Sequence, residues 1–440
     1  MRAKTTAAGK LVAGPPCRVG IAGFGTVGRS VARILCEHPP EGLELVAICN
    51  RNIERKKVPW VPARVRWTEQ IEDLLSPDID IFVELIGGLL PAEDWIRRAL
   101  QSGKSVVTAN KQLISERGPE LMDLARRGGR RIGIEASVAG GIPVVRGLRE
   151  GLAGDRLFRI SGILNGTCNY VLTRMEASDL AFSAAVKEAQ ALGFAEADPT
   201  DDIAGYDARA KLAILARVGL RSRIQPSDIR CRSIAVIESI DFAYARRLGC
   251  TIRQVSRAEK VAQATGDLFA AVQPALVPLS SPLAGVQGSQ NLITATGLYG
   301  GETVFSGRGA GGDPTAVAVV SDLIAIARRG SVPSGQHTDA SGAPEASQAP
   351  LRVVGEFTSP HYVRFTVKDR PGIVAALATV FSNYRINIDA LLQEPGSEKS
   401  RLPFVITLEE CSSEVLESAL KEVAAFDFHV QPPVNLPVLG

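Results

Sequence analysis

Between residues 17 and 149 the chain alternates two hydrophobic rhythms. Short, nearly continuous apolar runs at Arg18–Ala22, 43–49 (LELVAIC), 79–85 (IDIFVEL) and Ser105–Thr108 read as strands buried on both faces. Between them, stretches such as 29–37 (RSVARILCE) and Ala92–Ser102 return apolar residues at the helical three- and four-residue spacing. A further short strand is predicted over Arg131–Ile134. Strand and helix in this alternation predict an α/β fold with a Rossmann-type, doubly wound parallel sheet.

The rhythm changes near Glu150. Residues Phe158–Leu164 predict a strand, Asn165-Gly166 a tight turn, and Thr167 the N-cap of the next helix. Residues 192–205 pack Glu196, Asp198, Asp201 and Asp202 into a loop, and apolar residues then recur at helical spacing from Ala208. Segments 234–240, 267–279 and 291–300 are rich in β-formers, which predicts a mixed sheet in an α+β second domain. A glycine-rich run, 307–315, precedes a helix that completes the first domain. Composition makes 330–350 a linker. The remainder reads strand, helix, strand, strand, helix, strand, the ferredoxin-like order. The expected domains are therefore 17–149 with the helix 314–329, 150–313, and 351–440.

Composition narrows the picture. With 45% apolar residues, 22% charged residues and net charge +3, this is an ordinary soluble chain. It has no basic stripe with interleaved aromatics, so nucleic acid is not an expected partner. The uncharged span Leu268–Gly301 holds too many Pro, Gln, Ser and Gly residues for a membrane helix. Seven cysteines without any C-x-x-C fit reduced thiols in a cytoplasmic protein. Residues 1–16 are basic but lack an apolar h-region, and read as a disordered tail rather than a signal peptide.

Candidate chemistry lies at several places. Gly23-Phe24-Gly25-Thr26-Val27-Gly28 follows a strand, opens a helix and sits in a βαβ unit, the context that turns a weak motif into a dinucleotide site. The second strand ends in Asn50-Arg51-Asn52 and a cluster including Lys57, with no acid for a ribose 2′-OH. That favours NADP(H) over NAD(H); the bland reading is a solvated basic loop. Thr108 and Lys111 fall at the carboxyl end of a strand, which faces the ligand crevice in an open sheet. Finally, Asp207 and Lys211 are four apart on one helix face. They form either a surface ion pair worth a few tenths of a kcal/mol or an acid/base pair beside an acidic pocket. The four histidines (38, 337, 361, 429) all lie outside the middle of the chain, so a central acid/base group must be lysine or carboxylate. Cys168, at a strand-to-helix turn, offers a rival as an acylating nucleophile, though no histidine base is near in sequence.

Taken together, GFGTVG (23–28), VVTANK (106–111), EASVAGGIP (135–143), ILNGTCNY (163–170), EADPTDDIAGYDARAK (196–211) and GRGAGGDPTA (307–316) resemble homoserine dehydrogenase over nearly the whole chain. The fifth stretch is long and specific. The resemblance implies reversible NAD(P)-dependent reduction of L-aspartate 4-semialdehyde to L-homoserine, in threonine, methionine and isoleucine synthesis. It implies Lys211 as proton donor with Asp207 beside it, Lys111 near nicotinamide and substrate, and Glu196, with Asp201 and Asp202, at the substrate. Gly193 and Gly309 join the cofactor set by the same resemblance, although glycines at a helix mouth also make plain turns. Residues 135–142 resemble the family's sodium site, with Glu135 giving a carboxylate oxygen and Val138, Gly140 and Ile142 their carbonyls; spacing alone reads that loop as structural. The C-terminal unit resembles an ACT domain, implying a homodimer or homotetramer and feedback by L-threonine; a purely dimer-forming role is the bland alternative. A catalytically silent amino-acid sensor is the competing function class.

Overall fold

The computed structural model describes residues 15–261, 267–329, 352–394 and 398–439. Most of the expected tail and all of the expected linker lie outside these residues. The described chain divides into two compact units. One runs to Gly141 and resumes at Gly311; the other holds Ile142–Ala310 and the C-terminal residues.

In the first unit six parallel strands form one sheet, ordered Arg66–Thr68, Leu43–Cys49, Cys17–Ala22, Ile81–Glu84, Ser105–Thr108, Ile132–Gly133. Strand order reverses between Cys17–Ala22 and Ile81–Glu84. In an open α/β sheet that reversal leaves a crevice at the carboxyl ends, where the glycine turn begins. Val19, Ile21, Val31, Ile48 and Val83 are fully buried between sheet and helices. The late helix Gly312–Arg329 adds Ala316, Val319 and Leu323 to the same core. The unit therefore closes with a helix remote in sequence.

The first unit stops eight residues short of 149. The turns Val144–Arg146 and Gly147–Gly151 belong to the second unit, where Gly147 lies so close to the Phe305 ring that a Cβ would stand 2.5 Å from it. The second unit is built on a mixed seven-stranded sheet. Its main path is Gly301–Arg308, Gln290–Gly297, Leu157–Ile163, Cys250–Lys260, Leu268–Pro278, Val353–Val354, with Arg230–Cys231 also pairing to Leu268–Pro278. Helices Gly166–Ser178 and Tyr206–Gly219 pack against it, and Phe182–Ala191 packs on Gly166–Ser178.

Segment 234–240 is not a strand, despite its β-formers. Ile234–Val236 is a 3₁₀ turn, and helix Ser239–Arg247 begins behind a reciprocal cap between Glu238 and Asp241. Local capping chemistry outweighs the β propensity of three scattered isoleucines.

The C-terminal residues form a four-stranded antiparallel sheet, ordered Ile388–Gln393, Leu402–Ser412, Thr358–Val367, His429–Pro437, with helices Ile373–Asn383 and Ser413–Val423. One face covers the helices with Val363, Phe365, Phe404 and Ile406. The other brings Tyr362, Val405 and Leu436 into a core shared with Tyr244, Ile252 and Leu276. At this seam Asp241 accepts from Tyr362 Oη at 2.6 Å and Arg364 Nε at 2.7 Å, all three side chains being buried. The sheet thus belongs to the same compact unit as the seven-stranded one.

Candidate active site

The glycine turn is shaped from both sides. Gly23 has φ +105, and a Cβ there would stand 2.7 Å from the Leu85 carbonyl. At Gly28 a Cβ would stand 2.1 Å from the Gly23 carbonyl, so the turn and the helix it opens can approach only without a side chain. Gly25 is different: nothing lies within 4 Å of the place its Cβ would take. It precedes helix Thr26–Glu37, whose start has no side-chain cap. An open glycine beside uncapped N–H groups fits a pyrophosphate. Asn50, at the end of the second strand, accepts from Phe24 N at 3.0 Å and donates to the Arg51 carbonyl at 2.6 Å. Arg51 is exposed, and Lys57 pairs with Glu54 at 2.6 Å.

Thr108 is buried and spends its hydroxyl on Glu84 Oε2 at 2.6 Å, while accepting from Asn110 N at 3.0 Å. Glu84, wholly buried, also takes Ile86 N and Gly87 N at 2.8 and 3.0 Å. The apolar run ending in Glu84 was its only sequence signal. Asn110 caps helix Lys111–Arg127 through Leu113 N, so Lys111 stands exposed at that helix's first position.

The loop after Ile132–Gly133 is tied down by Asp322, whose carboxylate accepts from Glu135 N at 2.9 Å. Glu135 is buried, and Ala139 and Gly140 take positive φ values of 56° and 49°. Ile142 already belongs to the second unit. Among the described residues no group of three or more His, Cys, Asp or Glu side chains is placed to hold a metal. One carboxylate with backbone carbonyls remains a reasonable donor set for a hard monovalent cation, since such ions take oxygen ligands.

In the second unit the Asp207–Lys211 pair is no surface ion pair. The side chains are 8% and 12% exposed, and Lys211 Nζ lies 2.7 Å from Asp207 Oδ2. It also donates to the Leu164 carbonyl at 2.8 Å. Asn165 ties the cluster together: its amide donates to Asp207 Oδ2 at 2.9 Å and to Asp202 Oδ1 at 2.6 Å, while its carbonyl oxygen accepts from Cys168 N at 2.8 Å. Asn165, not Thr167, is therefore the N-cap of helix Gly166–Ser178; Thr167 gives its hydroxyl to the Phe194 carbonyl. Burial pushes the Asp202 carboxyl above its ordinary value, with the Asp207 charge adding to the rise and Asn165 opposing it. Glu196 and Gly193 are exposed on the preceding loop, and Asp201 is exposed in the short helix Thr200–Ile203 that interrupts the expected loop.

Cys168 fails as a nucleophile. It is fully buried, its thiol donates to the Asp202 carbonyl at 3.0 Å, and burial with neighbouring carboxylates pushes its pKa well above the usual range. His361, the most buried described histidine, sits in the C-terminal sheet between Ser359 and Asn435.

Sequence reasoning missed two further side chains of this cluster, Asn165 and Asn291. Asn291 donates to the same Leu164 carbonyl at 3.1 Å. An asparagine after a strand was legible as a turn residue; its bridging of two carboxylates depends on distant chain.

Comparison with known proteins gives the family and the domain order. The family model for homoserine dehydrogenase matches residues 143–324, its NAD-binding domain matches 23–135, and the ACT domain matches 361–428. A Bacillus subtilis homoserine dehydrogenase is 36% identical over 405 residues, 90% of this chain and 92% of its own length. The crystal structure of a homoserine dehydrogenase from Thiobacillus denitrificans superposes with TM-score 0.89 at 31% identity, covering 96% of this chain and 98% of that one. A hyperthermophilic archaeal homoserine dehydrogenase solved in complex with NADPH gives TM-score 0.61 at 28% identity, over 72% of this chain and 98% of its own. The chain, with its nicotinamide-nucleotide domain, its buried lysine–aspartate pair and its C-terminal ACT domain, belongs to the homoserine dehydrogenase family.

Proposed function

We propose that Lys211 is the proton donor in reduction of L-aspartate 4-semialdehyde. The observation that carries this is the anchoring of its ammonium: two of three N–H bonds go to Asp207 and the Leu164 carbonyl, leaving one for a substrate oxygen. Nicotinamide, when bound, supplies the hydride to the carbonyl carbon. Lys211 gives its third proton to the oxygen that becomes the hydroxyl, and Asp207 keeps the ammonium aimed. Glu196, with Asp201 and Asp202, takes the substrate's ammonium group; Lys111 is assigned to nicotinamide and substrate only by family resemblance. In the reverse reaction Lys211, as the free amine, accepts the proton.

Several finer readings belong with this one. Arg51, exposed just past strand Leu43–Cys49, where Asn50 rather than an acid follows the strand, favours the 2′-phosphate of NADP(H), with NAD(H) as the second cofactor. Gly193 and Gly309 are assigned to the cofactor only by family resemblance. Glu135, with the carbonyls of Val138 and Gly140, is assigned a structural Na⁺. The edge strand Gly301–Arg308, with Val304 exposed on it and Leu298 and Tyr299 exposed in the turn before it, supports assembly into a homodimer or homotetramer. Free cysteines throughout support a cytoplasmic location. Among the described residues no helix is long and apolar enough to cross a membrane. The ACT domain is assigned L-threonine as feedback ligand.

The test is NADPH oxidation with L-aspartate 4-semialdehyde, with and without L-threonine, by the native chain and by Lys211→Ala. Lys211→Ala should lower kcat by about 10²–10⁴-fold, the ordinary reach of a general acid, while the NADPH Kd stays put. Equal loss of turnover and NADPH affinity would remove Lys211 from the role. Inhibition by threonine supports the feedback assignment; indifference to it leaves dimer formation as the domain's role.

A further inference from the structure

Asn291 lies in strand Gln290–Gly297, 2% exposed, with no titrating group of its own. Its Nδ2 donates at 3.1 Å to the Leu164 carbonyl, the atom that also receives Lys211 Nζ at 2.8 Å. A carbonyl oxygen has two lone pairs, and here both are taken. The carbonyl therefore cannot swing toward or away from the ammonium without giving up the amide. Among the described residues Asn291 Oδ1 is buried without a hydrogen-bond partner, so the bond from Nδ2 to the Leu164 carbonyl is the polar contact that fixes this side chain.

Gly309 completes the device. A Cβ on Gly309 would stand 2.1 Å from both Cγ and Nδ2 of Asn291 and 2.5 Å from its Oδ1. The Asn291 amide fills the space a side chain would occupy, so that position is glycine for a reason within its own unit. By resemblance the same glycine is assigned to the cofactor; the geometry gives it a nearer neighbour.

We infer that Asn291 is a positioning residue for Lys211, acting through the Leu164 carbonyl, and that Gly309 is glycine in order to seat the Asn291 amide. The inference rests on Lys211 as proton donor. Asn291 holds the carbonyl, the carbonyl and Asp207 hold the ammonium, and the third N–H keeps its aim. Removing the amide frees the carbonyl, and a displacement of about 1 Å at a reacting group is enough to lower turnover by up to 10²-fold.

The experiment is a kinetic cycle on the full chain with Asn291→Ala, Gly309→Ala and both together, with Asn291→Asp as the isosteric control that fills the space but donates nothing. Asn291→Ala and Asn291→Asp should each lower kcat by about 10-fold or more, with the KM for semialdehyde and the Kd for NADPH within about 2-fold. Gly309→Ala should lower kcat in the same way. The double variant should be no slower than the worse single one, because the alanine at 291 vacates the space that the new Cβ needs. Thermal melts identify which variants fold, and Asn291→Asp keeps the test open if Asn291→Ala does not. Full kcat in Asn291→Asp overturns the positioning role. Multiplying effects in the double variant, with weaker NADPH binding in Gly309→Ala, would assign Gly309 to the cofactor and overturn its seating role. Full kcat in Lys211→Ala would instead remove the proton-donor reading itself, so the two failures are distinguishable.

Discussion

Asn165 holds Asp202 and Asp207 with its amide and Cys168 N with its carbonyl oxygen, so one side chain joins the cap of a helix to the buried carboxylates. Asn165→Ala should destabilise by about 2–4 kcal/mol, from a lost cap near 1 kcal/mol and two carboxylates left short of a donor. Urea denaturation measures this. Asn165→Asp separates the parts: it keeps a good cap but crowds a third carboxylate against Asp202 and Asp207, so it should remain destabilised by a like-charge effect. A full return to native stability would mean that capping alone matters there.

At the scale of elements, the glycine turn makes two opposite demands on its residues. Gly28 abuts the Gly23 carbonyl, whereas Gly25 faces open space. Gly28→Ala should therefore lower Tm, since the clash is with backbone that cannot rotate away. Gly25→Ala should leave Tm within about 1 °C and weaken NADPH binding, because its Cβ meets only the space that suits a pyrophosphate. Fluorescence titration and thermal melts read the two effects separately. A Gly25→Ala variant that melts early and binds normally would mean that the turn serves packing alone.

For the whole molecule, the C-terminal sheet carries two buried charge features. Arg364 is 1% exposed and bonded to Asp241, which is fully buried. Breaking such a pair from one side strands a charge, so Arg364→Met should destabilise by about 3–5 kcal/mol; the double variant with Asp241→Leu should recover only part of that, because Asp241 also accepts from Glu238 N and Tyr362 Oη. Differential scanning calorimetry decides, and equal loss in both variants would make packing the cause. His361 gives a pH dependence. Burial holds its pKa down at about 4 against an ordinary 6.5, with Asn435 partly opposing. The unfolded chain then takes up a proton below pH 6.5 that the folded one refuses. Stability is therefore unaffected by this group above pH 6.5 and falls as pH drops toward 4, by about 3 kcal/mol in all. His361→Gln should flatten that slope in denaturation series at pH 7, 6 and 5; an unchanged slope would point to other groups.

How much of this was legible in the sequence follows from the range of each interaction. The parallel sheet, the glycine turn and the ferredoxin-like end are written in local periodicity and turn chemistry, which operate within a few residues. So is the Asp207–Lys211 spacing, because four residues on a helix fix a common face. Whether that pair is a solvated ion pair or a buried, anchored one depends on Leu164, 47 residues away, and only the fold supplies it. The true N-cap, the helix at 239–247 and the boundary at Gly141 were likewise decided by hydrogen bonds and packing that composition does not record. Gly309 is the sharpest case. The sequence shows a glycine in a glycine-rich run; only the tertiary structure shows the asparagine that occupies its missing side chain, because two atoms cannot share one volume.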